Sequence, residues 1–314
     1  MKVFRCQVSK YQAPTYVQQE AESISQLGFQ YLSPTTAIRE TPDIVITNSN
    51  TDLTKFNFDL NKIKLLIHPN SGHDNIDDQT IKSLGGPAIL GNPIRAKAVT
   101  NYTLSCFFKA LHSPPFIRQW DATRKWSRKS AEEINILIIG YGHIGKLLHS
   151  SLQALYPNIY IYDPYENAPA NQQLGNLADT DVILLVPSLT RSSYHMINQQ
   201  FLQQLKPEVV IINGARGQLI EQNALINFLQ QNPKAQAYID VFEQEPADLS
   251  PWQHIPNAFL TSHIAGVFSK LDQVMLNFII EVLTNFKQLP LEKFIQKYSP
   301  LYLQDKIIKI PPLK

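Results

Sequence analysis

The chain has little cysteine. Cys6 and Cys106 are its only two, with no CxxC pair and no histidine–cysteine cluster near either. That argues against a disulfide framework and against a structural metal site, and it fits a reducing cytoplasm. Neither thiol stands in a motif, so both read as buried and inert. No apolar run approaches the roughly 18 residues of a membrane span. The N-terminus, MKVFRCQVSK, lacks the apolar core of a signal peptide and reads as a first strand. An excess of one charge is missing too. With 28 basic and 26 acidic residues the net charge is +2, which gives no electrostatic reason to expect a nucleic-acid or membrane partner. Repeats and low-complexity segments are absent. What is present is 314 residues with 44% hydrophobic content, enough for one large or two ordinary domains with real cores.

The most informative stretch is residues 134–163, INILIIGYGHIGKLLHSSLQALYPNIYIYD. Residues 134–139 have strand length and strand composition. Gly140, Gly142 and Gly145 follow, then Ile144, Leu147, Leu148, Leu152 and Leu155 at helical spacings of three and four. Pro157 and Asn158 break that helix, residues 159–162 form a second strand, and Asp163 ends it, eighteen residues after the last glycine. Gly140 permits a tight turn, Gly142 a close backbone approach to a pyrophosphate, and Gly145 tight packing of helix on strand. The free N–H groups and dipole at the helix start stabilise phosphate anions. Asp163 can accept from both hydroxyls of an adenosine ribose and repels a 2′-phosphate, so NAD is expected rather than NADP. Taken in isolation, the stretch also suits a flavin or methyl-donor site on the same kind of fold.

Along the chain, strand-like and helix-like pieces alternate, which implies parallel sheets with helices on both faces. Strands are expected at residues 2–8, 43–47, 64–67, 88–90, 181–186, 209–212, 236–240 and 259–261, with a further strand-like KIIKI at 306–310. Helices are expected at 16–27, 99–112, 201–205, 221–229 and 271–286. Residues 113–130, basic and with Pro114, Pro115, Trp120 and Trp126, have no period and read as a connecting arm. The small-residue loop at 68–77 follows a strand, where open α/β sheets bind ligands. Three polar residues stand just past strands of the second half: Arg216, Glu245 and His263. Singly each is an ordinary surface group. Together on successive strand ends they suit oxidoreductase chemistry, since a guanidinium grips a carboxylate in a fork and an imidazole exchanges a proton near neutral pH. A neighbouring carboxylate holds that imidazole and favours its protonated form.

These residues resemble the D-isomer-specific 2-hydroxyacid dehydrogenases. The matching segments are Gly140, Gly142, Gly145 and Asp163; Asn213, Arg216 and Gly217; Asp240, Val241, Glu245 and Pro246; Thr261, Ser262 and His263; and the loop of Gly72, Asp74 and Asp77, in the family's order from about residue 68 to 266. The resemblance implies two doubly wound parallel-sheet α/β domains, a Rossmann cofactor domain (99–266) inserted in a flavodoxin-like substrate domain (1–98 plus 267–314). It implies NAD as cofactor and hydride transfer between nicotinamide C4 and C2 of a small D-2-hydroxyacid or 2-keto acid. Arg216 would bind the substrate carboxylate, His263 would act as general acid and base, and Glu245 would pair with it. The backbone of Ser71 and Gly72 would hold the carboxylate from the substrate domain. His143, Ile144, Val186, Pro187, Ala215 and Asp240 would line the NAD site with the glycines and Asp163. Homodimerisation through the cofactor domain, aided by the 113–130 arm, is implied as well.

This chain departs from the family pattern in several places. Asn101 stands where the helix usually has glutamate, so packing there is in question. The segment between Trp126 and Ile134 is short and lacks a glycine-rich lead-in. Ser262 replaces a proline, and His73 an apolar residue. Ending at Lys314, the chain is expected to carry no appended regulatory domain. Two rival readings remain open: an NAD-sensing corepressor-type binding protein on the same fold, and a phosphorylated substrate held by Arg95 and Lys97.

Overall fold

The computed structural model describes residues 1–9, 12–166 and 176–305. The expected strand at 306–310 lies outside them. By internal contacts the chain divides into a split unit, Met1–Arg95 with Val267–Lys314, and an inserted unit, Ala96–Gly266.

The split unit has five strands: β1 (Lys2–Arg5), β2 (Gln30–Leu32), β3 (Ile44–Ile46), β4 (Leu65–His68) and β5 (Ala88–Leu90). They pair in the order β2-β1-β3-β4-β5, all parallel. The chain reverses its winding between β1 and β3, the feature of a doubly wound sheet. Strand alternation divides the core cleanly. Val3, Ile44, Ile46, Leu65 and Ile67 face a cluster built from α1 (Tyr16–Gln26) and the C-terminal helices, while Phe4, Val45, Leu66 and Leu90 face the cluster around Ile76 and Ile81 of the 69–83 segment. The short helix α2 (Asp78–Ser83) is capped by Asp77, whose carboxylate accepts from Thr80 N–H at 2.7 Å and Thr80 hydroxyl at 2.8 Å.

Helix α3 (Asn92–His112) begins seven residues before the start read at Val99. Pro93 is tolerated in the first turn because its missing N–H would have no intrahelical acceptor there. The inserted unit then carries β6 (Ile136–Ile139), α4 (His143–Leu152), β7 (Ile159–Tyr162), β8 (Val182–Leu185), α5 (Gln199–Leu202), β9 (Val210–Asn213), α6 (Gln222–Gln231), β10 (Gln236–Ile239) and β11 (Ala258–Leu260). These strands form one parallel sheet, β11-β10-β9-β8-β6-β7, with the reversal between β6 and β8. Leu137, Ile139, Ile183, Leu185 and Ile211 pack under α5 and α6; Ile136, Ile138, Val182, Leu184, Val210 and Ile212 pack with Phe107, Leu148 and Leu152 of α3 and α4. Each such side chain contributes about 1.5–3 kcal/mol by leaving water. The unbroken apolar runs follow from burial on both faces.

The lead-in to β6, which lacks glycine, is instead a single 3₁₀ turn at Ala131–Glu133. Ser130 and Glu133 close it as a reciprocal capping box, with Ser130 N–H donated to Glu133 Oε2 at 2.8 Å. The chain closes with α7 (Leu271–Gln288) and α8 (Leu291–Tyr298), both packed on the split unit's core. The sequence reading passes over β2, α2 and α8: α2 is too short to display a period and β2 is half polar, but α8 carries a clear one, with Leu291, Phe294, Ile295 and Tyr298 on one face.

Candidate active site in the inserted unit

The exits of β6 and β8 meet at Gly140. Its φ is +98°, and a Cβ there would lie 2.6 Å from Pro187 N and 2.7 Å from the Val186 carbonyl carbon. Gly145 is equally constrained, because a Cβ would sit 2.0 Å from Gly140 O, where helix α4 rests on the turn. Gly142 is different: a Cβ there would meet nothing within 4 Å. The protein's own packing therefore demands two of the three glycines. The third is not demanded by that packing and leaves an open face where a group could approach the backbone from outside. Gly142 is also the N-cap of α4 and offers no side chain to the helix start. Its N–H and that of Ile144 have no acceptor among the described residues, and half-buried His143 stands between them. Undonated amides at the positive end of a helix suit a phosphate.

Asp163, just past β7, holds this turn. Its Oδ2 accepts from Tyr141 N–H at 2.7 Å and its Oδ1 from Tyr165 N–H at 2.9 Å. Each oxygen keeps acceptor capacity for a ribose hydroxyl. These residues fit a dinucleotide: an open face at Gly142, free amides beside it and a carboxylate at the next strand end.

The exit of β9 is organised by buried Asn213. Its side-chain oxygen accepts from Ala215 N–H at 3.1 Å and its amide donates to Arg216 O at 2.9 Å, so one carboxamide closes the Gly214–Arg216 loop. Gly217 has no room for a Cβ, which would lie 1.9 Å from the Phe242 carbonyl carbon. The loops after β9 and β10 thus touch backbone to backbone. Arg216 is half-buried, with Nη1 donating to Ala215 O at 2.8 Å.

Past β10, Asp240 is fully buried and its carboxylate takes three donors: the Thr261 hydroxyl at 2.5 Å, Ile264 N–H at 2.8 Å and Ala265 N–H at 2.8 Å. Its carbonyl accepts from His263 N–H at 2.7 Å. Thr261 has one proton and gives it to Asp240, so the Tyr102 hydroxyl, 2.6 Å away, donates to Thr261. Burial pushes the Tyr102 phenol well above its ordinary range, which keeps it a neutral donor. This set of bonds holds His263 in the left-handed backbone region, φ +54°, a conformation costing about 1–3 kcal/mol. Asp240 thereby shapes the loop that presents the histidine. The His263 ring then meets Glu245, with Nδ1 2.6 Å from Oε2. Burial alone would raise the Glu245 carboxyl, but the His263 hydrogen bond and charge, Phe242 N–H and Arg216 outweigh it and hold the carboxyl below the usual range. A charged carboxylate only accepts, so Nδ1 carries the proton and Nε2 faces outward for chemistry.

The comparison with known families turns on this unit. Residues 111–265 match the model described as the D-isomer specific 2-hydroxyacid dehydrogenase, NAD binding domain. The inserted unit therefore carries the NAD-binding domain of the D-isomer-specific 2-hydroxyacid dehydrogenases. Its cofactor is NAD. Among relatives, a D-3-phosphoglycerate dehydrogenase of Methanocaldococcus jannaschii is 26% identical over 288 residues, covering 83% of this chain and 55% of that protein. A glyoxylate reductase of Pyrococcus furiosus is 26% identical over 270 residues, covering 79% of this chain and 78% of that one. The solved D-lactate dehydrogenase from Aquifex aeolicus, complexed with NAD and lactic acid, shares the fold with TM-score 0.70 and 19% identity over 97% of this chain and 99% of that one.

Sequence reasoning found Arg216, Glu245 and His263, which the structure places at the exits of β9, β10 and β11. It marked Thr261 only as part of the Thr261-Ser262-His263 segment and had no signal for Tyr102 and Tyr141, which act through a hydroxyl and a backbone N–H. In the split unit, Ser71 and Gly72 lie in the loop after β4, and neither backbone N–H has an acceptor among the described residues. Arg95 and Lys97 lie in the early turns of α3, half-buried and exposed respectively. Asn101 is exposed on the same helix. Among the described residues no group of histidine, cysteine and acidic side chains could hold a metal ion, and no helix is long and apolar enough to cross a membrane.

Proposed function

We propose that the protein is an NAD-dependent dehydrogenase that interconverts a small 2-keto acid and its D-2-hydroxyacid. The observation that carries this reading is the 2.6 Å contact of His263 Nδ1 with a Glu245 carboxylate held charged, on strand exits beside the dinucleotide turn. NADH, when bound, supplies the hydride that reduces C2 of the keto acid. His263 Nε2 gives its proton to the carbonyl oxygen as that oxygen gains charge, and takes it back in the oxidation. Glu245 keeps the imidazole in the tautomer and orientation that this transfer needs. Arg216 binds the substrate carboxylate and polarises the keto group. The undonated amides of Ser71 and Gly72 are further donors for that carboxylate. Gly140, Gly142, His143, Ile144, Gly145, Val186, Pro187 and Ala215 line the cofactor site, and Asp163 selects NAD. The relatives named for glyoxylate and phosphoglycerate favour a short acid.

The test is NADH oxidation at neutral pH against glyoxylate, hydroxypyruvate, pyruvate, longer and aromatic keto acids, and a phosphorylated one, in the wild type and His263→Ala. Turnover falling by about 10²–10⁴ in the variant is expected. Undiminished turnover in it would refute the assignment of His263. Asp163→Ser should move the NADH-to-NADPH preference toward NADPH; an unchanged ratio would contradict the role given to Asp163.

We further propose that the chain forms a homodimer through the inserted unit. Phe116, Ile117 and Trp120 of the 113–130 arm are 91%, 61% and 78% exposed, a concentration of apolar surface that a partner would cover. A solution mass of one chain would reject it.

A further inference from the structure

We propose that His68 is a positioning residue for the substrate carboxylate, acting by fixing the peptide at Gly72. The proposal rests on the assignment of the Ser71 and Gly72 amides as carboxylate donors. His68 ends β4, has no solvent exposure, and has both ring nitrogens engaged: Nε2 lies 2.8 Å from Gly72 O and Nδ1 lies 2.8 Å from the Thr47 hydroxyl. A carbonyl only accepts, so Nε2 carries the proton and donates to Gly72 O. The one Thr47 hydroxyl proton has Nδ1 at 2.8 Å and Ile67 O at 3.4 Å within reach, and the shorter contact is the one to Nδ1. Thr47 is itself completely buried just past β3, with its N–H on Ile67 O at 3.0 Å, so the sheet fixes the hydroxyl that sets the tautomer.

The loop needs such a hold. Glycine loses more conformational freedom on ordering than any other residue, and two undonated amides present an anion site only if their directions are fixed. On one side the loop is clamped by Gly91, whose N–H reaches His68 O at 2.8 Å and Asn70 O at 3.1 Å, and whose missing Cβ would sit 2.5 Å from the Pro69 carbonyl carbon. On the other side the His68 imidazole takes the Gly72 carbonyl and stops rotation about its ψ. The imidazole touches no reacting atom. It holds a backbone that the substrate touches.

The test uses the full chain loaded with NADH and compares His68→Gln, His68→Leu and Thr47→Val with the wild type. The probe is oxamate, a carboxylate that cannot be reduced, with its Kd measured by calorimetry; where an acid turns over, KM for that acid and for NADH are measured beside it. A glutamine amide at this position still donates to Gly72 O, and leucine does not. His68→Leu should weaken oxamate and raise KM for the acid by about five- to tenfold, with kcat and the KM for NADH within twofold. Thr47→Val should fall between wild type and His68→Leu, and His68→Gln should restore affinity to within about threefold. Equal oxamate affinity in wild type and His68→Leu would overturn the proposal, as would a glutamine variant no better than leucine. So would a rise in the NADH KM matching that for the acid, which marks general loosening. A wild type that binds no oxamate would overturn the carboxylate assignment and this proposal with it. A wild type that binds oxamate but reduces no acid would sink only the dehydrogenase reading.

Discussion

The two parallel sheets hold their strand-exit loops by different means. In the inserted unit carboxylates form most of the braces: Asp163 takes two backbone N–H groups, Asp240 takes two and a hydroxyl, and Glu245 takes one and the His263 ring, while the Asn213 carboxamide closes the loop after β9. In the split unit neutral groups hold the loops just past β3 and β4, and a carboxylate, Asp77, caps the helix that follows. His68 holds Gly72, and the Asn75 amide donates to Asn48 O at 3.0 Å and Thr51 O at 2.7 Å. That unit's buried charges, Arg5 and Glu20, are satisfied within the fold: they bond each other, with Tyr16, Tyr31 and Thr47 O as further partners. A carboxylate that accepts several N–H groups bonds each about twice as strongly as a neutral acceptor and tolerates no replacement. A neutral brace is weaker and more replaceable. The proton transfer proposed for His263 thus stands on loops braced chiefly by carboxylates.

Either side of this contrast can be broken by substitution. The largest stability effect belongs to Arg5→Met, which leaves Glu20 buried and unpaired and should cost about 3–5 kcal/mol. Chemical unfolding measures it, and a loss below about 1 kcal/mol would mean that the pair is dispensable. Asp240→Asn keeps the shape but turns an amide toward a donor at Thr261, Ile264 or Ala265. It should cost about 2–3 kcal/mol and lower kcat at least tenfold through His263, with the KM for NADH little changed. Asn75→Ala removes a neutral brace and should cost only about 1–2 kcal/mol. If it matched Asp240→Asn, the contrast between the two sheets would fail.

The smallest effect is one of pH. The Glu245 carboxyl is held low in the folded chain, so its contribution to stability is present above the unfolded carboxylate value and is lost as pH falls through the folded one. The Tm difference between wild type and Glu245→Gln should stay level near neutral pH and shrink on the acid side. A gap that widens with acid would reverse that sign.

The same difference explains what the sequence makes legible. Aspartate, glutamate, histidine and glycine at strand exits are scarce enough to notice, so Gly140, Asp163, Arg216, Glu245 and His263 stand out from the order of residues alone. The sheets are legible as well, since burial on both faces makes β6, β8 and β9 unbroken apolar runs. Strand β2 and helix α2 are not, because β2 (QYL) is never fully buried and makes no apolar run, and six residues of α2 display no period. Nor is the neutral brace at His68 legible. Its significance lies in a backbone oxygen four residues on and a hydroxyl twenty-one residues back, and neither leaves a pattern in the letters.

The most direct test of the central claim follows the hydride. The wild type would be given NADH deuterated at nicotinamide C4 together with the best acid of the panel, and the product examined by NMR and chiral chromatography. The expected product is a D-2-hydroxyacid with deuterium at C2, formed by the wild type and not by His263→Ala. A product of L configuration, or one without deuterium at C2 when either C4 position is labelled, would contradict that claim.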